Sequence, residues 1–287
     1  MSTLVEIGPP LAVALVALVL IGCAAATWGG LGHGRGILFA AVRAGVQLSL
    51  VALVLAAIVA SLAASFAFVA GMYAIATLTA GRRLVHTRAG WWCAFPVGAG
   101  PLPVVAGLLA LGVVPARGVA VVPVAGILIG GAMTATVLAG RRALVELRTR
   151  AGEVEAAQAL GFADREAALM VCRPPAAEAL VPALDQTRTV GLVVLPGAFV
   201  GTLLGGATPV EAGAVQILIL VGVLAVQAVA VVATVDLIAR GTLRGAADPT
   251  SVTSIGRRRT DGPPAGSVRS RWRRRSRTGS GTVRAGR

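Results

Sequence analysis

The stretch GILFAAVRAGVQLSLVALVLAAIVASLAASFAFVAGMYAIATLTA, residues 36–80, decides the fold, because Arg43 is its only charged residue. As a helix rising about 1.5 Å per residue it would be over ~60 Å long, about twice the thickness of the hydrocarbon core of a bilayer. It must therefore fold back on itself, and Ser61 and Ser65 mark the place where we predict the turn. The stretch predicts two membrane-spanning helices in succession.

The same pattern extends over most of the chain. Of the 287 residues, 56% are hydrophobic and only 13% are charged, a composition typical of a membrane protein. The candidate spans are residues 9–27, 37–60, 63–80, 92–114, 119–140, 189–207 and 213–239. We predict an all-α polytopic membrane protein with about seven transmembrane helices.

Arginine placement predicts the orientation of these spans. The loops on one side carry Arg35, then 82, 83 and 88, then 141, 142, 148, 150, 165 and 173, whereas the other side holds Glu6, Glu211 and a single Arg117. Because basic loops stay in the cytoplasm, we expect a multi-pass cell inner membrane protein with its N-terminus out and its C-terminus in. The start of the chain has no basic n-region, so we expect its first apolar run to be a retained span.

The sequence also predicts a second, non-membrane segment. Residues 1–244 form the transmembrane domain, and residues 245–287 carry eleven arginines against Asp248 and Asp261. Low hydrophobicity with high charge indicates a disordered cytoplasmic tail. Its expected partner is the anionic headgroups of the bilayer, since a basic segment beside the inner leaflet is attracted to them. We do not expect it to bind nucleic acid, because Trp272 alone is a poor stacking platform.

The long polar loop at residues 141–188 carries the motif that bears most on function. We expect two short helices in it, the first broken at Gly161 and the second capped by Asp164. The segment Glu155-Ala156-Ala157-Gln-Ala-Leu-Gly161, followed by Pro174, resembles the cytoplasmic EAA loop on which the ATPase of an ABC permease docks. The alternative interpretation is an alanine-rich cytosolic helix that ends at a glycine.

Several spans contain residues that break helices or resist burial in lipid. Glycines and prolines interrupt the fourth, fifth and sixth spans, and the second span carries Arg43 and Gln47 one turn apart. Such residues either line a cavity or allow close helix packing. The candidates for a translocation path or for helix packing are Arg43, Gln47, Pro123, Gly126, Gly130, Met133, Asp185, Arg188, Gly191, Pro196 and Gly197.

Three segments carry a more specific resemblance. They are residues 43–47, RAGVQ, residues 123–133, PVAGILIGGAM, and residues 185–197, DQTRTVGLVVLPG. Together they resemble the FetB (YbbM-type) iron-export ABC permease family, to which the plant aluminium-tolerance permeases are similar. The resemblance runs from about residue 8 to residue 240. Two departures stand out, because the family usually has Asn at the position of Gly131 and Lys at the position of Arg188.

The resemblance implies a permease subunit that is not itself an enzyme. It implies export of iron or a related metal, homodimerisation, and a separate ABC ATPase that holds the ATP and magnesium. The composition agrees with a separate ATPase, because all 26 basic residues are arginine and a Walker A motif requires lysine. The residues themselves predict no cofactor and leave any metal site unknown, since His, Cys and Met are dispersed. An ABC importer permease is the alternative, and an ion-coupled carrier with buried acids is a more distant one.

Overall fold

A computed structural model describes residues 8–59, 61–85 and 87–243 of the chain. The basic tail, Glu6 and His86 lie outside these residues, so the predictions made for them stay predictions. The described residues form helices joined by turns and short connections, and no strand. This confirms the predicted all-α class.

Eleven α-helices follow one another in the described part of the chain. They are α1 Pro9–Trp28, α2 Gly34–Val59, α3 Leu62–Leu84, α4 Ala94–Ala99, α5 Pro101–Ala110, α6 Gly118–Thr149, α7 Ala151–Ala159, α8 Asp164–Ala177, α9 Val181–Thr189, α10 Gly197–Leu204 and α11 Pro209–Ala239. Short 3-10 helices at Arg88–Cys93 and Glu178–Leu180 lead into α4 and α9. Seven helical segments of the described residues are long and apolar enough to cross a membrane, which confirms the predicted number.

The turns between spans follow from local sequence. Ser61 caps α3 by accepting a hydrogen bond from the Ala64 amide at 3.4 Å, which confirms the predicted fold-back of residues 36–80. Thr208 and Glu211 form a reciprocal capping box at the start of α11, with the Glu211 carboxylate accepting from the Thr208 amide at 2.9 Å. These caps satisfy amides that the first turn of a helix leaves without intrahelical partners.

Three long helices, α3, α6 and α11, form the centre of the bundle and run in the same direction. Glycines on α6 permit the close approach, since a Cβ on Gly126 would lie 2.6 Å from the Met72 side chain and one on Gly140 would lie 2.7 Å from that of Leu84. Small residues let helices pack closely in a membrane, where no hydrophobic driving force brings them together. The predicted close packing is therefore present at Gly126.

The fourth span is broken, as its composition suggests. Helix α4 ends at Ala99 and α5 begins at Pro101. A Cβ on the intervening Gly100 would lie 2.9 Å from the Cα of Val226 on α11, so only glycine fits between the two backbones. Tyr73 of α3 holds the start of α4 in place by donating a hydrogen bond to the Ala94 carbonyl at 2.8 Å.

The fifth span is not broken, although Pro123 lies within it. Helix α6 runs without interruption from Gly118 to Thr149. Pro123 lies near the first turn, where a missing backbone donor removes few hydrogen bonds. At its other end, the helix continues past residue 140, so its last turns lie within the segment that the sequence predicts to be a polar loop.

The sixth span differs most from its prediction. Residues 189–207 do not form one helix, because α9 ends at Thr189, residues 190–196 are not helical and α10 has only 8 residues. By length and composition alone, the remaining candidate segment is instead Asp164–Thr189, which comprises α8, the second 3-10 helix and α9. Seven of its residues are charged, which is why the sequence predicts a polar loop there.

The C-terminal ends of α3, α6 and α11 and the start of α8 lie together at one end of the bundle, which we call the arginine-rich end. Leu84 of α3 contacts Gly140 of α6, which also contacts Thr234 of α11. Arg165 of α8 pairs with Asp236 of α11 at 2.5 Å. The basic loops that the sequence assigns to one side are thus grouped in space.

Packing at this end gives a stability prediction. A Cβ on Gly81 would lie 2.6 Å from the Gly90 carbonyl oxygen, and that backbone atom cannot rotate away. We expect Gly81→Ala to destabilise the protein by about 1–3 kcal/mol, as overpacking does, measured as a lower unfolding temperature in detergent. Gly107→Ala is the control, because nothing lies within 4 Å of a Cβ there. Equal stability of the two variants would contradict the predicted clash.

Candidate functional site

The candidate coupling residues lie on a helix pair at the arginine-rich end, which we call the α7–α8 knob, residues 151–177. Glu155 and Ala156 are exposed on α7, and Ala157 is half-buried. Gly161 has φ +96°, a left-handed conformation that favours glycine, and turns the chain from α7 into α8. Pro174 is exposed within α8.

The turn differs in one detail from its prediction. Asp164 is the first residue of α8, and Ala163 occupies the N-cap position without a side-chain cap. The Asp164 carboxylate instead accepts a hydrogen bond from the side-chain amide of Gln158 at 3.0 Å. This bond spans the Gly161 turn, so Asp164 joins the two helices of the knob.

The knob is attached rigidly to the bundle. One face of α8 is buried against α6 and α11, with Ala168 and Cys172 fully inaccessible. Asp236 of α11 accepts hydrogen bonds from Arg165 at 2.7 Å and from Arg240 at 2.6 Å. A force applied to the knob therefore reaches α6 and α11 directly.

An ion pair fixes the corner where α6 meets α7. Arg150 donates to the Glu153 carboxylate from its Nε at 2.7 Å and from a terminal nitrogen at 2.5 Å. The hydrogen bond from Arg150 lowers the pKa of the Glu153 carboxyl below its ordinary value. Any stabilisation from this pair is present above the ordinary pKa of glutamate and is lost as pH falls through the lowered value. Both groups are exposed, so solvent screening keeps the effect small.

The outer face of the knob is apolar and uncovered. Leu160 is 81% exposed, Met170 58% and Phe162 45%. Phe162 and Met170 line a groove of about 580 Å³ whose rim carries Arg165, Glu166 and Arg173. Apolar anchors ringed by charges are typical of a surface on which another protein docks.

The non-helical stretch between α9 and α10 is the second candidate site, and we call residues 190–196 the unwound segment. Gly191 has φ +80°, and its amide donates to the Val194 carbonyl at 2.9 Å. Pro196 follows as the N-cap of α10, which begins at Gly197. The tight turn leaves Leu192 and Val193 87% and 81% exposed.

Charged residues precede the unwound segment on α9. Arg188 pairs with Asp185 one turn earlier at 3.4 Å, and both side chains are exposed. No Cβ contact lies within 4 Å of Gly197 or Gly201, so the close packing predicted for this glycine pair does not occur within one chain. Asp185, Arg188 and the two glycines therefore lie on a surface that no other described part of the chain covers.

Helix α2 presents a second open face. Arg43 and Gln47 lie one turn apart on it, and both are exposed. Neither side chain forms a hydrogen bond or an ion pair with the described part of the chain. A polar pair without partners on a membrane-spanning helix requires water, lipid phosphate or another protein surface.

The candidates on α6 separate into two groups. Gly126 and Met133 pack inside the bundle, whereas Pro123 is exposed and Gly130 has nothing within 4 Å of its Cβ position. A Cβ on Gly131 would lie 3.4 Å from Val223 and 3.5 Å from the Gln227 amide nitrogen. The family asparagine at this position would therefore lie beside a polar group of α11.

Sequence reasoning missed three buried polar side chains. The hydroxyl oxygens of Thr77 and Thr136 and the amide oxygen of Gln216 are buried without a hydrogen-bond partner. Isolated polar residues within apolar spans are the signal that could have found them. No group of three or more His, Cys, Asp or Glu side chains in residues 8–59, 61–85 and 87–243 could hold a metal ion.

Comparison with known proteins places these features in a family. The chain is 36% identical over 211 residues to the UPF0014 membrane protein STAR2 of rice, covering 72% of this chain and 74% of the relative. It is 36% identical over 150 residues to Protein ALUMINUM SENSITIVE 3 of Arabidopsis thaliana, covering 52% and 55% of the two chains.

A bacterial relative is similar over a shorter region. The chain is 34% identical over 103 residues to the Probable iron export permease protein FetB of Escherichia coli K12, covering 34% of this chain and 38% of the relative. No solved structure matches the chain. The model of the family described as Uncharacterised protein family (UPF0014) matches residues 10–243, so the chain belongs to the UPF0014 family of multi-pass membrane proteins.

Proposed function

We propose that this chain is the membrane permease subunit of an ABC transporter that exports iron or a related metal, driven by a separate ATPase subunit. The observation that carries the proposal is the α7–α8 knob, which presents uncovered apolar side chains beside the EAA-like segment. The similarity to FetB supports the metal and the direction of transport.

The ATPase docks on the knob, with the arginine-rich end in the cytoplasm. Leu160, Phe162 and Met170 act as apolar anchors, and Glu155 faces basic or backbone donors at the rim of the partner's groove. Because α8 is buried against α6 and α11, movement of the ATPase passes to the two longest helices of the described residues. This is the route by which ATP hydrolysis moves the spans.

The permease works as a homodimer. Each chain carries one knob, and an ABC cycle uses two ATPase subunits. Helix α2 has no buried residue in its apolar window, yet it carries the polar Arg43 and Gln47. A second copy of the chain that covers α2 and the open glycines Gly197 and Gly201 gives these residues an interior position.

The translocation path lies between the two copies, along α2 and the unwound segment. Gln47, Thr189 and the carbonyl groups around Pro196 offer oxygen atoms to a cation. Arg188 is partly neutralised by Asp185, which reduces its repulsion of a cation. The metal is the transported substrate and needs no permanent site in the chain.

The structure of Asp236 argues against an ion-coupled carrier. A proton or sodium site requires an acid that is free to release and bind its cation. Asp236 is held between Arg165 and Arg240, at 2.5 Å and 2.6 Å. Its carboxylate therefore acts as a structural anchor for the knob.

Transport is tested with the chain and an ABC ATPase subunit from the same organism, purified together and placed in proteoliposomes. We expect Fe²⁺ to stimulate ATP hydrolysis and to accumulate on the side away from the ATPase. Stimulation without export, or only with a binding protein added, would favour the importer. Metal movement driven by an ion gradient without ATP would overturn the proposal.

A further inference from the structure

A pocket between the third and fourth spans has features of an anion site. It encloses about 350 Å³ at the arginine-rich end and combines charged, polar and apolar groups. Its lining residues are Thr77, Leu78, Arg82, Val85, Thr87, Arg88 and Trp91, with Gly81 and Gly90. None of them belongs to the knob or to the unwound segment.

The positive charge of this pocket has no internal counter-ion. Arg82 and Arg88 are exposed, and neither forms an ion pair with an acidic side chain of the described residues. They approach the pocket from the end of α3 and from the start of the 3-10 helix that follows. Two arginines that line one pocket from different elements suit a phosphate group, because each guanidinium can donate several hydrogen bonds to its oxygens.

Thr77 forms part of the inner wall of the pocket. It is only 2% exposed, and its Oγ1 is buried without a hydrogen-bond partner. Because this oxygen is inaccessible, a ligand in the open part of the pocket does not reach it. The groups available to bind an anion are therefore the two arginines.

The position and the apolar lining define the rest of the ligand. The third span ends at Leu84 and the fourth begins at Arg88, so the pocket lies where the chain leaves the bilayer. Trp91 is 66% exposed beside it, and tryptophan is enriched at the level of the headgroups. Leu78 and Val85 add apolar contacts to the lining of the pocket.

We propose that this pocket binds a phosphate-bearing group at the membrane surface, with Arg82 and Arg88 holding the phosphate. The phosphate belongs either to an anionic lipid headgroup or to a soluble phosphate compound. Basic pockets between membrane helices commonly receive lipid headgroups. This site is separate from ATPase coupling and does not depend on the transport proposal.

Binding is measured on the purified full-length chain in detergent as a rise in unfolding temperature. The probes are phosphatidylglycerol, inorganic phosphate and phosphatidylcholine. We expect Arg82→Gln and Arg88→Gln each to weaken binding of the anionic probe roughly fivefold, the effect of one arginine near a charged headgroup. Arg83→Gln is the matched control, because Arg83 is exposed on the same turn but does not line the pocket. The basic tail is identical in all of these proteins, so its own attraction to lipid cancels.

Thr77→Val separates binding from folding. Valine keeps the shape and removes the buried, unpartnered hydroxyl, so this variant should be at least as stable as the wild type and should bind the probe as strongly, whereas the arginine variants lose binding. Stabilisation by phosphatidylglycerol alone would identify a lipid headgroup, and equal stabilisation by inorganic phosphate would identify a soluble ligand. Equal losses for Arg83→Gln and Arg82→Gln, or no response to either phosphate probe, would overturn the proposal.

Discussion

Replacing Leu160 and Met170 together by aspartate is expected to separate the permease from its ATPase without preventing membrane insertion. These two side chains are 81% and 58% exposed on the α7–α8 knob, so folding does not depend on them. An aspartate in each anchor position would place a charge in an apolar interface, where truncation of an anchor alone costs about 2 kcal/mol or more. The expected loss of affinity is at least about a hundredfold, measured by co-purification and by the ATPase concentration that gives half-maximal transport.

A second variant tests the shape of the knob. Gly161→Pro forces φ to about −65° where the turn requires +96°, so the two helices should lose their relative orientation. Glu155→Arg tests the rim by reversing one exposed charge. Both should leave insertion intact and reduce stimulation of the ATPase.

The control is Val145→Asp. Val145 is an apolar residue, 55% exposed on α6 near the same end of the bundle, but it lies outside the knob. It should retain the ATPase. If the paired aspartates and Gly161→Pro leave co-purification and turnover unchanged, the knob is not the docking site.

The sequence predicted the number and class of the spans because apolar length is a local property. Any run that must bury about 20 residues in hydrocarbon stands out regardless of its neighbours. The fold-back at Ser61 was predictable for the same reason, since length alone demanded a turn. The break at Gly161 was also local, because a glycine between two amphipathic stretches marks a helix end.

The sixth span could not be predicted in the same way, because its boundaries depend on tertiary contacts. The charges of residues 141–188 predict a water-exposed loop, and the exposed outer face of the knob agrees with this, but one face of α8 is buried against α6 and α11. Residues 189–207 appear to be an apolar span, yet a turn around Gly191 interrupts them. A hydropathy profile reports neither the contacts between helices nor a turn in the backbone.

The candidate path residues illustrate a third limit. Sequence marked Arg43, Gln47 and Gly197 as unusual in lipid, and the structure places all three on open faces. It also marked Gly126 and Met133, which pack inside the bundle. Composition identifies residues that need an explanation, but only geometry separates close packing from an exposed polar surface.

Cysteine labelling is expected to separate these two kinds of residue with an all-or-none result. Single cysteines at Gln47 and Ala198 should react with a polar, membrane-impermeant thiol reagent, because the proposed path brings water to both. A cysteine at Ala132 should not react, because Ala132 is 0% exposed in the core of the bundle. The background should lack Cys23, Cys93 and Cys172, the cysteines of this chain.

The decisive comparison is between two exposed positions on α2. Leu53 is 80% exposed, yet it is surrounded by apolar residues and should face lipid, where a polar reagent cannot reach it. Both Leu53 and Gln47 are exposed in a single chain, so the comparison tests whether water or lipid surrounds each of them. Labelling at Gln47 and Ala198 that changes on adding ATP with the ATPase would show that the path opens and closes during the cycle. If neither position is labelled with or without ATP, both lie against lipid or inside a packed dimer interface, and the path runs elsewhere.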